Sequence, residues 1–92
     1  MMNITVELFG PAERLVGQPE LTIEVAGNPT VGDIVQETVR IYPQLGSLLI
    51  SEGAVAKSVL LCVNNIQVDA KEFWPATPGT KLQIIPPVSG GC

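Results

Sequence analysis

Only one stretch of this chain carries a sustained helical repeat, and it decides how everything else can be arranged. Between Thr30 and Tyr42, the residues Val31, Ile34, Val35 and Val39 recur at helical spacing, which draws one apolar stripe along an otherwise polar helix. Both ends are marked. The Thr30 hydroxyl is placed to accept from the backbone amide of Asp33, whose carboxylate suits the positive end of the helix dipole, and Pro43 stops the helix. Ninety-two residues leave room for a single core, so this helix and every other element must share it.

The remaining apolar residues fall in short runs separated by glycine, proline and asparagine. From Asn3 to Phe9, Ile4, Val6 and Leu8 alternate with Thr5, Glu7 and Phe9, the period of a half-buried strand. Gly10-Pro11 ends it, and Pro11 to Val16 predicts a short helix with Gly17 as its stop. Leu21, Ile23 and Val25 then alternate with Glu20, Thr22 and Glu24 before Gly27-Asn28-Pro29 turns the chain. After the long helix, Leu45, Leu48 and Leu49 predict one or two more turns over the core. Lys57 to Val63 predicts a central strand, Asn64-Asn65 a tight turn, and Ile66 to Val68 an edge strand. Phe73 to Gly79, with Pro75 and Pro78, is a loop, and Lys81 to Ile85 is the last strand, ended by Pro86-Pro87.

Strand, strand, long helix, then three strands on so short a chain call for an α+β fold. A mixed sheet of about five strands has one main helix packed across it, with the first and last strands side by side at the centre. That is the β-grasp arrangement. Hydrophobic residues make up 46% of the chain and aromatics 4%, so Val, Ile and Leu build the core. We expect residues 1–86 to form the body and residues 87–92 an extended, flexible tail.

The residue inventory narrows the chemistry. No His is present, which removes Ser-His-Asp and Cys-His catalysis and every His-based metal site. The two cysteines, Cys62 and Cys92, cannot form an iron-sulfur or all-Cys zinc site within one chain, so no metal is expected. Cys62 sits in the apolar run Val59 to Val63 and reads as a buried, inert thiol. A net charge of −4 has the wrong sign for nucleic acid. It serves solubility, or suits a basic groove on a partner. No apolar run approaches a membrane span and the first residues do not read as a signal peptide, so a cytoplasmic protein without a membrane partner is expected.

The chemistry is left to the segment after Ile85, Pro86-Pro87-Val88-Ser89-Gly90-Gly91-Cys92. The prolines favour an extended backbone and the glycines remove every side chain near the end. From Pro87 onward the segment spans at most roughly 20 Å, long enough to enter a cleft on another protein. A glycine carboxylate resists attack until it becomes an acyl-adenylate. Sulfur transfer then yields a thiocarboxylate, whereas attack by an amine yields an amide.

These residues resemble the small-subunit family of molybdopterin synthase, ubiquitin-like sulfur carriers of the β-grasp fold, and more distantly the thiamin sulfur carrier. The matching stretches are Leu8-Phe9-Gly10-Pro11-Ala12 with Glu13 and Arg14, Thr30-Val31-Gly32-Asp33, Tyr42-Pro43-Gln44-Leu45, Val63-Asn64, and Ile84 through Gly91. The resemblance implies that an adenylating, E1-like enzyme uses ATP to activate Gly91, and that a desulfurase or rhodanese-type donor supplies the sulfur. It implies further that the tail, through Pro87, Val88, Ser89 and Gly90, enters the large catalytic subunit, where sulfur passes to a pterin precursor. The chain would bind no cofactor and catalyse nothing alone. Phe9 is a candidate docking residue, or else packs under the helix. Cys92 departs from the family pattern because it holds the Gly91 carboxyl in a peptide bond. It is an extension removed by a peptidase, a cysteine newly assembled on the carrier, or an addition for labelling. The first two resemble carriers of cysteine-forming or siderophore-type pathways trimmed by a metallopeptidase. A ubiquitin-like protein modifier is the remaining alternative.

Overall fold

The computed structural model describes residues 2–75 and 79–87. Strand β1 (Met2–Leu8) leads through helix α1 (Pro11–Val16) to β2 (Glu20–Val25) and then to the long helix α2 (Val31–Ile41). A 3-10 turn over Pro43–Leu45 and the short helix α3 (Gly46–Leu49) follow. Strands β3 (Ile50–Ser51), β4 (Ala54–Val55), β5 (Leu60–Val63), β6 (Ile66–Gln67) and β7 (Lys81–Ile85) complete the chain. Five strands form one sheet in the order β2-β1-β7-β5-β6. β1 and β7 are parallel at its centre, with Thr5 opposite Lys81 and Leu8 opposite Ile84, and the remaining pairs are antiparallel. This is the mixed β-grasp sheet that the sequence pattern calls for.

Alternation decides which face of the sheet is covered. Ile4, Val6 and Leu8 of β1, Leu21, Ile23 and Val25 of β2, Leu82 and Ile84 of β7 and Leu61 of β5 are buried on one face, where Val31, Ile34 and Val35 of α2 meet them in a single core. Leu45 and Leu49, both fully buried, close the end of that core. Thr38 completes the buried stripe of α2. Its hydroxyl donates to the Ile34 carbonyl at 2.8 Å, which removes the cost of an unpaired polar atom in the core.

Helix α2 is fixed at its start by two devices. The Thr30 hydroxyl accepts from the Asp33 amide at 3.1 Å, and the Asp33 carboxylate accepts from the Thr30 amide at 2.9 Å, a reciprocal cap. The amides of Val31 and Gly32 donate to the carbonyls of Glu72 and Ala70, each at 2.8 Å. A side chain at Gly32 would bring its Cβ within 3.1 Å of the Ala70 oxygen, so glycine permits the close approach of the 69–72 turn.

Three local features differ from the sequence reading. Strand β1 stops at Leu8, one residue before Phe9. The apolar run expected to pair from Lys57 does so only from Leu60, because the Val59 amide donates back to the Ala56 carbonyl at 3.1 Å in a turn. Glu52-Gly53 is not merely a break but the turn of a small separate hairpin, with both residues at positive φ and Ile50 opposite Val55. Two residues per strand are too few to show an alternation. The expected turn at Asn64-Asn65 is present, with φ values of 50° and 70°.

Thr30→Ala removes the hydroxyl half of the cap and leaves the Asp33 half. It should cost about 1 kcal/mol and lower the thermal midpoint by roughly 4–8 °C, followed by circular dichroism; an unchanged midpoint would show that the Asp33 carboxylate and the 69–72 turn suffice to hold the helix start.

Candidate functional site

The last strand lies in the middle of the sheet, and all three central strands finish at one level. Ile85 is opposite Leu60, the first residue of β5, and the chain before Leu60 is already in a turn. On the other side Leu8 is opposite Ile84, so Phe9 leaves the sheet beside Ile85. Gly10, at φ 56°, then turns the chain into α1. The Phe9 carbonyl accepts from the Ala12 amide, and the Gly10 carbonyl from the Arg14 amide, both at 3.2 Å. The ladders with both neighbours of β7 therefore stop at this level. Pro86 is buried at this sheet end and Pro87 is exposed.

Around this exit is an apolar surface. Phe9 and Leu60 are each 37% exposed, and Ile85, paired with Leu60 on the face opposite the core, is half-buried. Phe9 does not pack beneath the long helix. The sequence reading named Phe9 and Pro87 but missed Leu60 and Ile85. Both occupy the off-core phase of their strands, and only the register between β5 and β7 brings them together. Of the other residues named for the site, Val88, Ser89, Gly90, Gly91 and Cys92 lie outside the described residues.

Away from the exit the same face becomes polar. Glu7 and Glu20 are directly opposite across β1 and β2, a repulsive pairing on its own. Lys81 relieves it. Its Nζ donates to Glu20 Oε2 at 3.1 Å, and this hydrogen bond, followed by the charges of Glu20 and Glu7, raises the Lys81 pKa above its ordinary value. Gln83 Nε2 donates to Glu7 Oε1 at 3.1 Å and to Asn65 Oδ1 at 2.8 Å. Because a raised lysine pKa favours the folded state until pH climbs through that value, the Lys81 contribution is fully present at neutral pH. Cys62, opposite Gln83, is a buried free thiol. Among the described residues no group of three or more His, Cys, Asp or Glu side chains is placed to hold a metal ion, and no helix is long and apolar enough to cross a membrane.

A β-grasp body whose central strand ends at a pair of prolines beside an apolar surface, with Ser-Gly-Gly later in the sequence, has the form of a ubiquitin-like carrier. The chain belongs to the ThiS family of such sulfur carriers, whose model matches residues 6–91. It is 26% identical over 91 residues to the molybdopterin synthase sulfur carrier subunit of Caenorhabditis briggsae, covering 99% of this chain and 100% of that one. It is similar to small archaeal modifier protein 3 of Haloferax volcanii, 27% identical over 92 residues, with 98% of this chain and 100% of that one covered. Among solved structures, the crystal structure of SAMP1 from Haloferax volcanii superposes with a TM-score of 0.86 at 27% identity, covering 98% of this chain and 100% of that one.

Surface and core at the exit should separate cleanly on mutation. Ile84→Ala, fully buried, should cost about 2–5 kcal/mol, whereas Phe9→Ala should change stability by under about 1 kcal/mol. Chemical denaturation of both variants measures this; a large loss at Phe9 would mean that its ring supports the core after all.

Proposed function

We infer that this chain is the sulfur-donating small subunit of a sulfurtransferase complex, with Gly91 as the carrier residue and molybdopterin synthase as the complex. The observation that carries the reading is the exit: a central strand that ends level with its neighbours at Pro86 and Pro87, next to exposed Phe9 and Leu60, with the two glycines following in the sequence. The molybdopterin assignment draws further support from the similar subunit of Caenorhabditis briggsae and from the Pro86-Pro87-Val88-Ser89-Gly90-Gly91 ending.

The chain supplies two things. Its apolar surface of Phe9, Leu60 and Ile85 docks on the adenylating enzyme and on the large catalytic subunit in turn, and its glycines pass where side chains do not. The Gly91 carboxylate attacks the α-phosphate of ATP on the activating enzyme, forming the acyl-adenylate and releasing pyrophosphate. The terminal sulfur of a persulfide on a desulfurase or rhodanese-type donor then attacks that carbonyl and expels AMP, and a thiol cleaves the resulting acyl disulfide, forming a disulfide with the donor sulfur and leaving a thiocarboxylate. In the large subunit the sulfur passes to the pterin precursor and the Gly91 carboxylate is regenerated. Acids, bases and the pterin site belong to the partner.

Cys92 must leave first, because it holds the Gly91 carboxyl as an amide. A metallopeptidase is the class of enzyme suited to this step, and its requirement is also what favours the second reading, a carrier in a cysteine-forming or siderophore-type pathway. The likeness to an archaeal modifier protein supports a third use of the same activated glycine, attack by a lysine amine to give a protein conjugate.

Intact-mass spectrometry separates these outcomes. With Cys92 removed, incubation with ATP, activating enzyme and sulfur donor should exchange one oxygen for sulfur at Gly91; adducts of higher mass on other proteins would establish the modifier, and neither product would end the carrier reading. Gly91→Ala should fold as the parent does and slow sulfur transfer, since its methyl group enters the channel meant for glycine; equal rates would remove the argument from a narrow channel.

A further inference from the structure

The two prolines that end β7 each face a different neighbour. The Asn64 amide donates to the Lys81 carbonyl at 3.2 Å, so the backbone groups of Lys81 point toward β5. Along a strand these groups alternate sides, so Gln83 and Ile85 also point toward β5, while Leu82 and Ile84 point toward β1. One step further, the backbone nitrogen of residue 86 is directed at β1 and that of residue 87 at β5. The strand β1 obeys the same phase: the Leu8 amide donates to the Pro19 carbonyl at 2.8 Å, on the β2 side, so the Phe9 carbonyl faces β7. It is the natural acceptor for an amide at position 86, and it is occupied by the Ala12 amide that starts α1.

We propose that Pro86 and Pro87 form a two-sided stop, Pro86 withholding the donor that would reach β1 and Pro87 the donor that would reach β5, so that the segment after Ile85 is handed to a partner unpaired by its own sheet. An edge strand has one neighbour and needs one such residue; a strand at the centre has two neighbours and needs two in succession. Both are positioning residues. Pro86 does a second task, since an ordinary residue there would carry a buried amide that must share the Phe9 carbonyl with the Ala12 amide. The functional half of this inference rests on the carrier reading above; the structural half does not.

The test uses the full chain with Pro87→Ala, Pro86→Val and the double variant Pro86→Val/Pro87→Ala, Val being close to Pro in size at the buried position. Amide hydrogen exchange followed by NMR reads the stop directly. In the double variant the new amides at 86 and 87 should exchange about tenfold or more slowly than in an unpaired chain, with Pro87→Ala alone protecting position 87. The same variants, freed of Cys92, should be adenylated severalfold more slowly than the parent while their thermal midpoints do not fall in proportion. Exchange at unpaired rates in every variant would overturn the proposal, as would protection without slower adenylation. Pro87→Ala, at an exposed position, keeps the test decisive if Pro86→Val does not fold. Failure of the parent chain, freed of Cys92, to be adenylated at all would instead overturn the carrier reading and leave the exchange result standing.

Discussion

The parallel pairing of β1 with β7 is the constraint on which the rest of this structure depends. Two parallel strands cannot be joined by a tight turn, and here almost the whole chain is the connection between them. Helix α2 crosses the covered face within that connection and supplies the apolar stripe that Leu82 and Ile84 need on one side and Val6 and Leu8 on the other. Once β7 is inserted at the centre, β1 and β5 are held apart as its two immediate neighbours, and the direction in which the chain leaves the sheet is no longer free. Because the two central strands run the same way, the end of β1 and the end of β7 come together, which is how Phe9 comes to stand beside the exit.

Much of this was legible in the residues. The cap of α2 could be read from Thr30 and Asp33, the strands β1 and β2 from their alternation, and the turn from Asn64-Asn65, because each depends on neighbours within a few positions. What escaped depends on partners far along the chain. Thr38 is polar by type and core by position, and only the helix packed beneath the sheet makes that so. Leu60 and Ile85 face away from the core in two separate strands, and nothing local says that they are opposite each other. The hairpin of β3 and β4 is shorter than any period that could announce it, and is tied to α2 through Gln36 and the Gly53 carbonyl at 3.0 Å. As for the site itself, Phe9 and Pro87 could be named from the sequence, whereas Leu60 and Ile85 beside them required the register.

A body of this length has a single core, and its one long helix covers only one face of the sheet. The two faces of the sheet are accordingly different in kind: one is consumed by the helix, and the other grades from the apolar ground at Phe9, Leu60 and Ile85 to the polar ladder of Glu20, Lys81, Glu7 and Gln83. Pro86 and Pro87 lie at the apolar end, while in the polar part Lys81 keeps Glu7 and Glu20 from driving β1 and β2 apart.

The side-chain contact between Gln83 and Glu7 joins residues 76 positions apart, and the central ladder spans a similar separation. Such a topology assembles late, since its decisive contact closes the longest loop in the domain. A nascent chain that has not yet produced β7 leaves both β1 and β5 with a raw side and cannot complete its interior. Gly90 and Gly91 come only after that strand in the sequence, so a chain still lacking β7 lacks them too.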